Sequence, residues 1–229
     1  KTLVKKYKVD FVNFIDENMM TMDVASSRKW LFELCDLWIK EGLQPISRRD
    51  GVSDQHNKGG VFWAGTSHAN LATKEVLDVM GKAGCSHLVY GIESFDPVIL
   101  KNMGKGVTQK HNIEALKVCM DSGIIPIPNI IIGFPQETFQ SVRTTIEWLI
   151  KLGIHCKPHF ATPYPGSEWY YSYKESILQQ YNGNLEAFIE DLGDASKITA
   201  VISHNFSPVQ LLGLQQIVMQ RDLRLLDMA

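Results

Sequence analysis

The sequence predicts an α/β protein whose strands run parallel in one sheet. Three observations carry that expectation. Four glycines stand in one context: KEGL at Gly42, KAGC at Gly84, DSGI at Gly123 and KLGI at Gly153. Each follows a helical pattern and precedes an apolar run, where glycine takes a left-handed cap at no steric cost. Their spacing, roughly 30–40 residues, suits a helix–strand–loop unit rather than a short solenoid repeat. The apolar runs are short and nearly continuous, as in parallel strands covered on both faces. Finally, polar or glycine-rich residues follow every run. Alternating strands and helices give right-handed crossovers, and the sheet either closes as a barrel or stays open.

The elements follow in order. Lys1, Lys5, Lys6 and Lys8 mark a solvated helix face. The first strand is Val9–Ile15 (VDFVNFI). A helix over Ser27–Lys40 places Trp30, Leu31, Leu34 and Leu37 at helical spacing. Gln44–Gly60 is polar and turn-rich, an inserted loop before the second strand, Val61–Ala64. Helices over Thr73–Lys82, Thr108–Asp121 and Phe139–Leu152 alternate with strands at Leu88–Tyr90, Ile127–Ile132 and Lys157–Ala161. Thr108 and Thr138 stand where N-caps belong. Beyond Gly166 the pattern changes. Trp169, Tyr170, Tyr171 and Tyr173 lead into a helical tail that caps the sheet and ends in a helix over Pro208–Asp227.

Composition bounds the function. The chain has 229 residues, 45% hydrophobic and 21% charged, the balance of one large globular domain. The formal net charge of -2 argues against a nucleic-acid partner. No apolar run is long enough to span a membrane. Cys35, Cys85, Cys119 and Cys156 form no CxxC pair and lie in apolar stretches, so we expect buried thiols and a reducing, cytoplasmic setting. The histidines show no HxxxH or HxH spacing, so no zinc site is expected. His159 is singled out because it lies on a strand and would point into a barrel. Met19, Met20 and Met22 are expected to fill a loop core rather than bind a soft metal.

In parallel α/β folds, ligands sit beyond the carboxyl ends of the strands. Those positions hold Asp16-Glu17-Asn18, Gly65-Thr66-Ser67-His68, Gly91-Ile92-Glu93-Ser94, Gly133-Phe134-Pro135 and Thr162-Pro163-Tyr164-Pro165-Gly166-Ser167. Glycines let a backbone approach a ligand. Carboxylates accept hydrogen bonds from an amine or from sugar hydroxyls. The pattern points to a ligand with both a cationic amine and a polyol. Plainer readings stand beside it. Asp16 and Glu17 would solvate a loop, Glu93 would cap the helix near Asp96, and His68 would be structural.

Five segments in this order, VDFVNFIDENMM, AGCSHLVYGIES, ILKNMGKGVT, IIGFPQETFQS and TPYPGS, resemble the radical S-adenosylmethionine (SAM) superfamily. The resemblance runs from Val9 to Ser167. It is strongest to the branch that often carries an N-terminal cobalamin-binding domain, which includes radical methylases and the anaerobic cyclase of chlorophyll synthesis. It implies a partial (βα)6 TIM-like barrel lacking its first strand, with residues 1–167 as core and 168–229 as a helical extension packed on it. In that family a CxxxCxxC loop holds a [4Fe–4S] cluster. The cluster binds SAM and cleaves it to a 5′-deoxyadenosyl radical that abstracts a substrate hydrogen.

By this resemblance, Asp16 and Glu17 contact the methionine amino group, where a carboxylate suits a cation. Glu93 lies near the ribose hydroxyls, with Ser94 as a lesser candidate. Gly133, Phe134 and Pro135 pack the adenine through backbone contacts. Thr162 and Pro163, with the rest of the segment to Gly166, lie beside it. Lys105 matches a basic residue common in the branch. His68 stands where the family often has arginine.

CxxxCxxC is absent from the chain. With a start at Lys1 rather than Met, this leads us to expect a natural protein that continues upstream with the cluster loop, the resemblance also allowing a cobalamin domain there. This chain alone should then hold no cluster, bind SAM weakly and be inactive. The expected partners are a small-molecule substrate and an electron donor, with self-association through the strand edge near Val9. The expected function is the core of a radical SAM enzyme performing methyl transfer or related carbon-centred chemistry. One alternative is a degenerate barrel serving as a binding or scaffold module. Another is an ordinary barrel enzyme using Asp16, Glu17 and Glu93 as acid–base groups. A CxxxCxxC motif upstream of Lys1 separates the first two.

Overall fold

A computed structural model describes residues 1–19, 24–48, 59–193 and 197–228. In chain order, the first elements are α1 (Thr2–Tyr7), β1 (Phe11–Asn13), α2 (Val24–Lys40), β2 (Phe62–Ser67), α3 (Lys74–Lys82) and β3 (Cys85–Glu93). Then come α4 (Pro97–Asn102), α5 (Gln109–Asp121), β4 (Ile125–Ile132), α6 (Phe139–Leu152) and β5 (His159–Phe160). The tail holds α7 (Glu168–Ser172), α8 (Lys174–Gln180), α9 (Leu185–Asp191), α10 (Pro208–Gln220) and α11 (Leu223–Leu226). The strands follow one another across the sheet in the order β1-β2-β3-β4-β5. The pairs β1–β2, β2–β3 and β4–β5 are parallel. Each expected strand is present. β3 is longer than its apolar run because it takes in Cys85, Ser86 and His87 before that run and Gly91 to Glu93 after it. Most of the expected insertion, residues 49–58, lies outside the described residues.

The chain divides into two compact units: Lys1–Gly91 with Lys110–Pro128, and Ile92–Gln109 with Asn129–Ala229. In the first, α2 packs on α3. Trp63, Leu77, Met80, Leu88 and Tyr90 form a fully buried core. Trp63 donates its indole N–H to the Ala83 carbonyl (3.3 Å), and Phe14 stands edge-on to its ring. Thr73 caps α3 by accepting from the Val76 N–H. Gly42, Gly84 and Gly123 all take positive φ. At Gly84 the need is double, since a Cβ would also fall 2.5 Å from Pro45 Cδ.

In the second unit, Asp96 caps α4 with Pro97 in its first turn, and α6 opens with a reciprocal capping box between Thr138 and Ser141. Phe134, Ile99, Ala161 and Ile202 make one apolar cluster. Tyr170, Ile177, Phe188 and Ala200 make another. The expected final helix is broken. α10 ends where Arg221 turns left-handed (φ 54°), and Asp222 caps the separate α11. That turn lets Arg221 donate to the Ile154 carbonyl (3.3 Å) and meet His155 Nε2. Among the described residues, no helix is long and apolar enough to cross a membrane.

Candidate functional site

In the first unit, the chain leaving β1 is tied along the end of β2. Phe14 N–H donates to Ala64 O (2.9 Å) and Met19 N–H to Thr66 O (3.0 Å). The Thr66 hydroxyl donates to the Asp16 carbonyl. The side chains of Asp16 and Glu17 are left exposed to solvent. Gly65 is needed here for close approach, because a Cβ would fall 2.1 Å from Met19 Sδ. Met19 is buried and fills this loop, as expected; Met20 and Met22 lie outside the described residues. His68 Nδ1 accepts from Asn70 N–H (3.3 Å) and caps the short turn after β2.

In the second unit, Glu93 ends β3 in the left-handed region (φ 61°), a costly conformation for a residue with a Cβ. It is 8% exposed. Its Oε1 accepts from Lys105 Nζ at 2.5 Å. Its Oε2 is buried without a hydrogen-bond partner. Lys105 sits between Gly104 and Gly106, both at positive φ. Glu93 does not cap α4; Asp96 does, accepting from Val98 N–H (2.9 Å) and Ile99 N–H (3.0 Å). The Ser94 hydroxyl accepts from Asp96 N–H (3.0 Å) and meets Thr145 Oγ1 (3.3 Å).

Beyond β4, Gly133 has φ 90° and Phe134 is 2% exposed, edge-on to Trp169 with ring centroids 5.5 Å apart. Pro135 and Pro163 are buried. Thr162 donates its hydroxyl to Phe160 O (3.1 Å). Phe134 and Ala161 share one cluster, so the segments after β4 and β5 meet there. His159 pairs in register with Ile131, and its Nδ1 is buried without a partner.

One residue was not singled out by the sequence. Glu137 is 1% exposed, and its Oε2 accepts from Gly133 N–H at 2.5 Å. Burial pushes its carboxyl up to about 8, against the N–H groups of Gly133 and Phe134, which pull it down. The usable signal was its place in the short loop that joins β4 to a capped helix. The thiols have a different character. Cys35, Cys85 and Cys119 are buried and Cys156 half-buried. Burial raises Cys35 and Cys119 to about 12 and Cys156 to about 11, and holds Cys85 well above the usual thiol range. Among the described residues, no three metal-ligating side chains gather.

The family model of the radical SAM superfamily matches residues 3–149. The chain belongs to the radical SAM superfamily. An uncharacterised methyltransferase of Pyrococcus horikoshii is 36% identical over 53% of this chain and 27% of its own length. The bacteriochlorophyllide d C-12(1)-methyltransferase of Chlorobaculum tepidum is 32% identical over 52% of this chain and 27% of its own length. The chain thus spans about a quarter of the length of these relatives. The radical SAM methyltransferase TsrM from Kitasatospora setae, with cobalamin and a [4Fe–4S] cluster bound, aligns at TM-score 0.58 and 16% identity, over 77% of this chain and 32% of TsrM. That likeness shows the fold, a partial TIM-like barrel.

Membership of the radical SAM superfamily implies SAM and a [4Fe–4S] cluster. Each unit by itself offers acceptors whose chemistry suits the first: Glu93 Oε2 in the second, buried and without a hydrogen-bond partner, and in the first the exposed carboxylates of Asp16 and Glu17. The residues present do not fit the cluster. Cluster ligands are gathered thiolates, whereas among the described residues no three of these side chains could hold one metal, and burial disfavours ionisation of the thiols.

Proposed function

We propose that this chain is the SAM-binding core of a radical SAM enzyme that transfers a methyl group, or does related carbon-centred chemistry, on a small molecule. The observation that carries this is Glu93, strained, buried and left with one unpartnered oxygen. A ribose hydroxyl would satisfy Oε2, while Lys105 holds Oε1 and fixes the carboxylate plane. Asp16 and Glu17 would accept from the methionine ammonium. Gly133, Phe134, Pro135, Thr162 and Pro163 would flank the adenine, with Ser94 holding the turn beneath. Bound SAM would supply the transferable group. We take residues 1–167 as the core and 168–229 as its helical extension, in a cytoplasmic protein served by an electron donor, with cobalamin as a further cofactor of the branch.

The test uses the whole reconstituted protein. We expect Glu93→Gln to weaken SAM binding about tenfold in equilibrium dialysis, as loss of a hydrogen bond to a charged group does. An unchanged Kd in a folded variant would remove Glu93 from the site. The unsuitable cysteines favour a second reading, a barrel that serves as a binding or scaffold module. A whole protein that reconstitutes no cluster would support it.

The edge of the sheet adds a partner. β1 closes the strand order on one side, with Phe11 and Ile15 exposed beside it. Open edges template pairing. We expect this chain to show a concentration-dependent mass above the monomer in light scattering. A monodisperse monomer would count against edge pairing.

A further inference from the structure

We propose that the turn Ser203–Phe206 is a latch that holds the Gly133–Glu137 loop in its binding conformation, with Asn205 as the positioning residue. The inference rests on the reading of that loop as part of the SAM site.

The loop leaves β4 through a glycine at positive φ, so its own backbone does little to select one shape. Two sets of contacts select it instead. From within, the Glu137 carboxyl oxygen Oε2 accepts from Gly133 N–H, and Glu137 N–H donates to Phe134 O (3.0 Å). From the tail, His204 N–H donates to Pro135 O (2.9 Å) and Asn205 Nδ2 to Glu137 O (2.8 Å). The tail turn is itself preset. Ser203 Oγ accepts from the N–H groups of Asn205 (3.3 Å) and Phe206 (3.2 Å). Phe206 is buried, edge-on to Phe139 with centroids 5.0 Å apart. Just beyond, Leu211 of α10 packs so near Gly133 that a Cβ there would meet it at 3.3 Å. The Pro135 and Glu137 carbonyls are thus held by the tail, and the Phe134 carbonyl and Gly133 amide by Glu137. A site held this way is organised before its ligand arrives, which lowers the ordering cost of binding.

Of the two hydrogen bonds from the turn to the loop among the described residues, that of Asn205 is made through a side chain, so substitution isolates it. The whole reconstituted protein is compared with Asn205→Ala, Asn205→Asp and a control, Asn184→Ala. Asn184 caps α9 by accepting from Ala187 N–H (3.1 Å) and touches no loop residue among its recorded contacts. Both alanine variants lose one asparagine hydrogen bond, so they carry similar global costs. Amide hydrogen exchange reads the latch without any ligand. We expect Asn205→Ala to speed exchange at Gly133 and Glu137 about tenfold more than Asn184→Ala does. Asn205→Asp, which faces the Glu137 carbonyl with an acceptor, should do at least as much. We also expect the SAM Kd to rise about fivefold in Asn205→Ala and to hold in Asn184→Ala. Equal exchange at the loop in both alanine variants overturns the latch. Faster exchange at the loop with an unchanged Kd overturns its role in binding. A wild-type protein that binds no SAM overturns the cofactor reading itself.

Discussion

The native protein is expected to lose stability between pH 5 and pH 8, and Glu137→Gln to remove most of that loss. The folded chain keeps the Glu137 proton up to about 8, because burial makes the charge costly. The unfolded chain releases it near the usual glutamate value, about 4.3. Between those values the folded state binds more protons, so stability falls as pH rises. The contribution is whole below about pH 4 and lost above about pH 8, on the order of 5 kcal/mol across the window. The glutamine amide oxygen still accepts from Gly133 N–H and carries no charge to bury. Urea unfolding at half-unit steps from pH 5 to pH 9 should give a falling line for wild type and a much flatter one for the variant. Parallel lines would show that Glu137 is ionised in the fold at neutral pH. Glu137→Ala should behave differently. It strands the buried Gly133 N–H and should cost about 1–3 kcal/mol even at pH 5.

Trp63→Ala should produce a loss of similar size at every pH. Trp63 is 1% exposed, meets Phe14 and Trp38 as ring neighbours, and gives its N–H to Ala83 O. Truncation loses that burial, leaves a cavity and removes a donor from a helix-end carbonyl. Large aromatic-to-alanine changes in a core cost about 3–5 kcal/mol. Trp63→Phe should cost less, since it keeps most of the apolar contact. The measurement is the urea midpoint, with the slope checked for constancy. A shift equivalent to under about 1 kcal/mol would mean that the space around Trp63 collapses freely.

The sequence made the repeating unit legible because its signals are local. An apolar run, a cap and a glycine can each be read in place. Gly42, Gly84, Gly123 and Gly153 all take the positive φ their contexts demand. The strand ends were legible for the same reason, and so was the family, through ordered segments at those ends. The pairing of Glu93 with Lys105 was not, because it depends on a left-handed Glu93 and a glycine-flanked turn that folds back. Glu137 was missed because a glutamate before a helix cap usually meets water, and its burial comes from tertiary packing that the local sequence does not spell out. The hydroxyl of Ser94 and the ring of His68 bond to neighbouring backbone, a local use that residue type alone does not separate from ligand binding. The break at Arg221 interrupts a helical pattern for the sake of contacts with residues 154 and 155, far away in sequence.

We propose that these residues carry SAM contacts of a radical SAM enzyme but not the thiolates of its cluster. Iron and sulfide content after anaerobic reconstitution tests it most directly, on this 229-residue chain and on the product of the complete reading frame. We expect about four irons per chain on the complete product and none on this chain. A stoichiometric cluster on this chain, or none on the complete product, would contradict the claim.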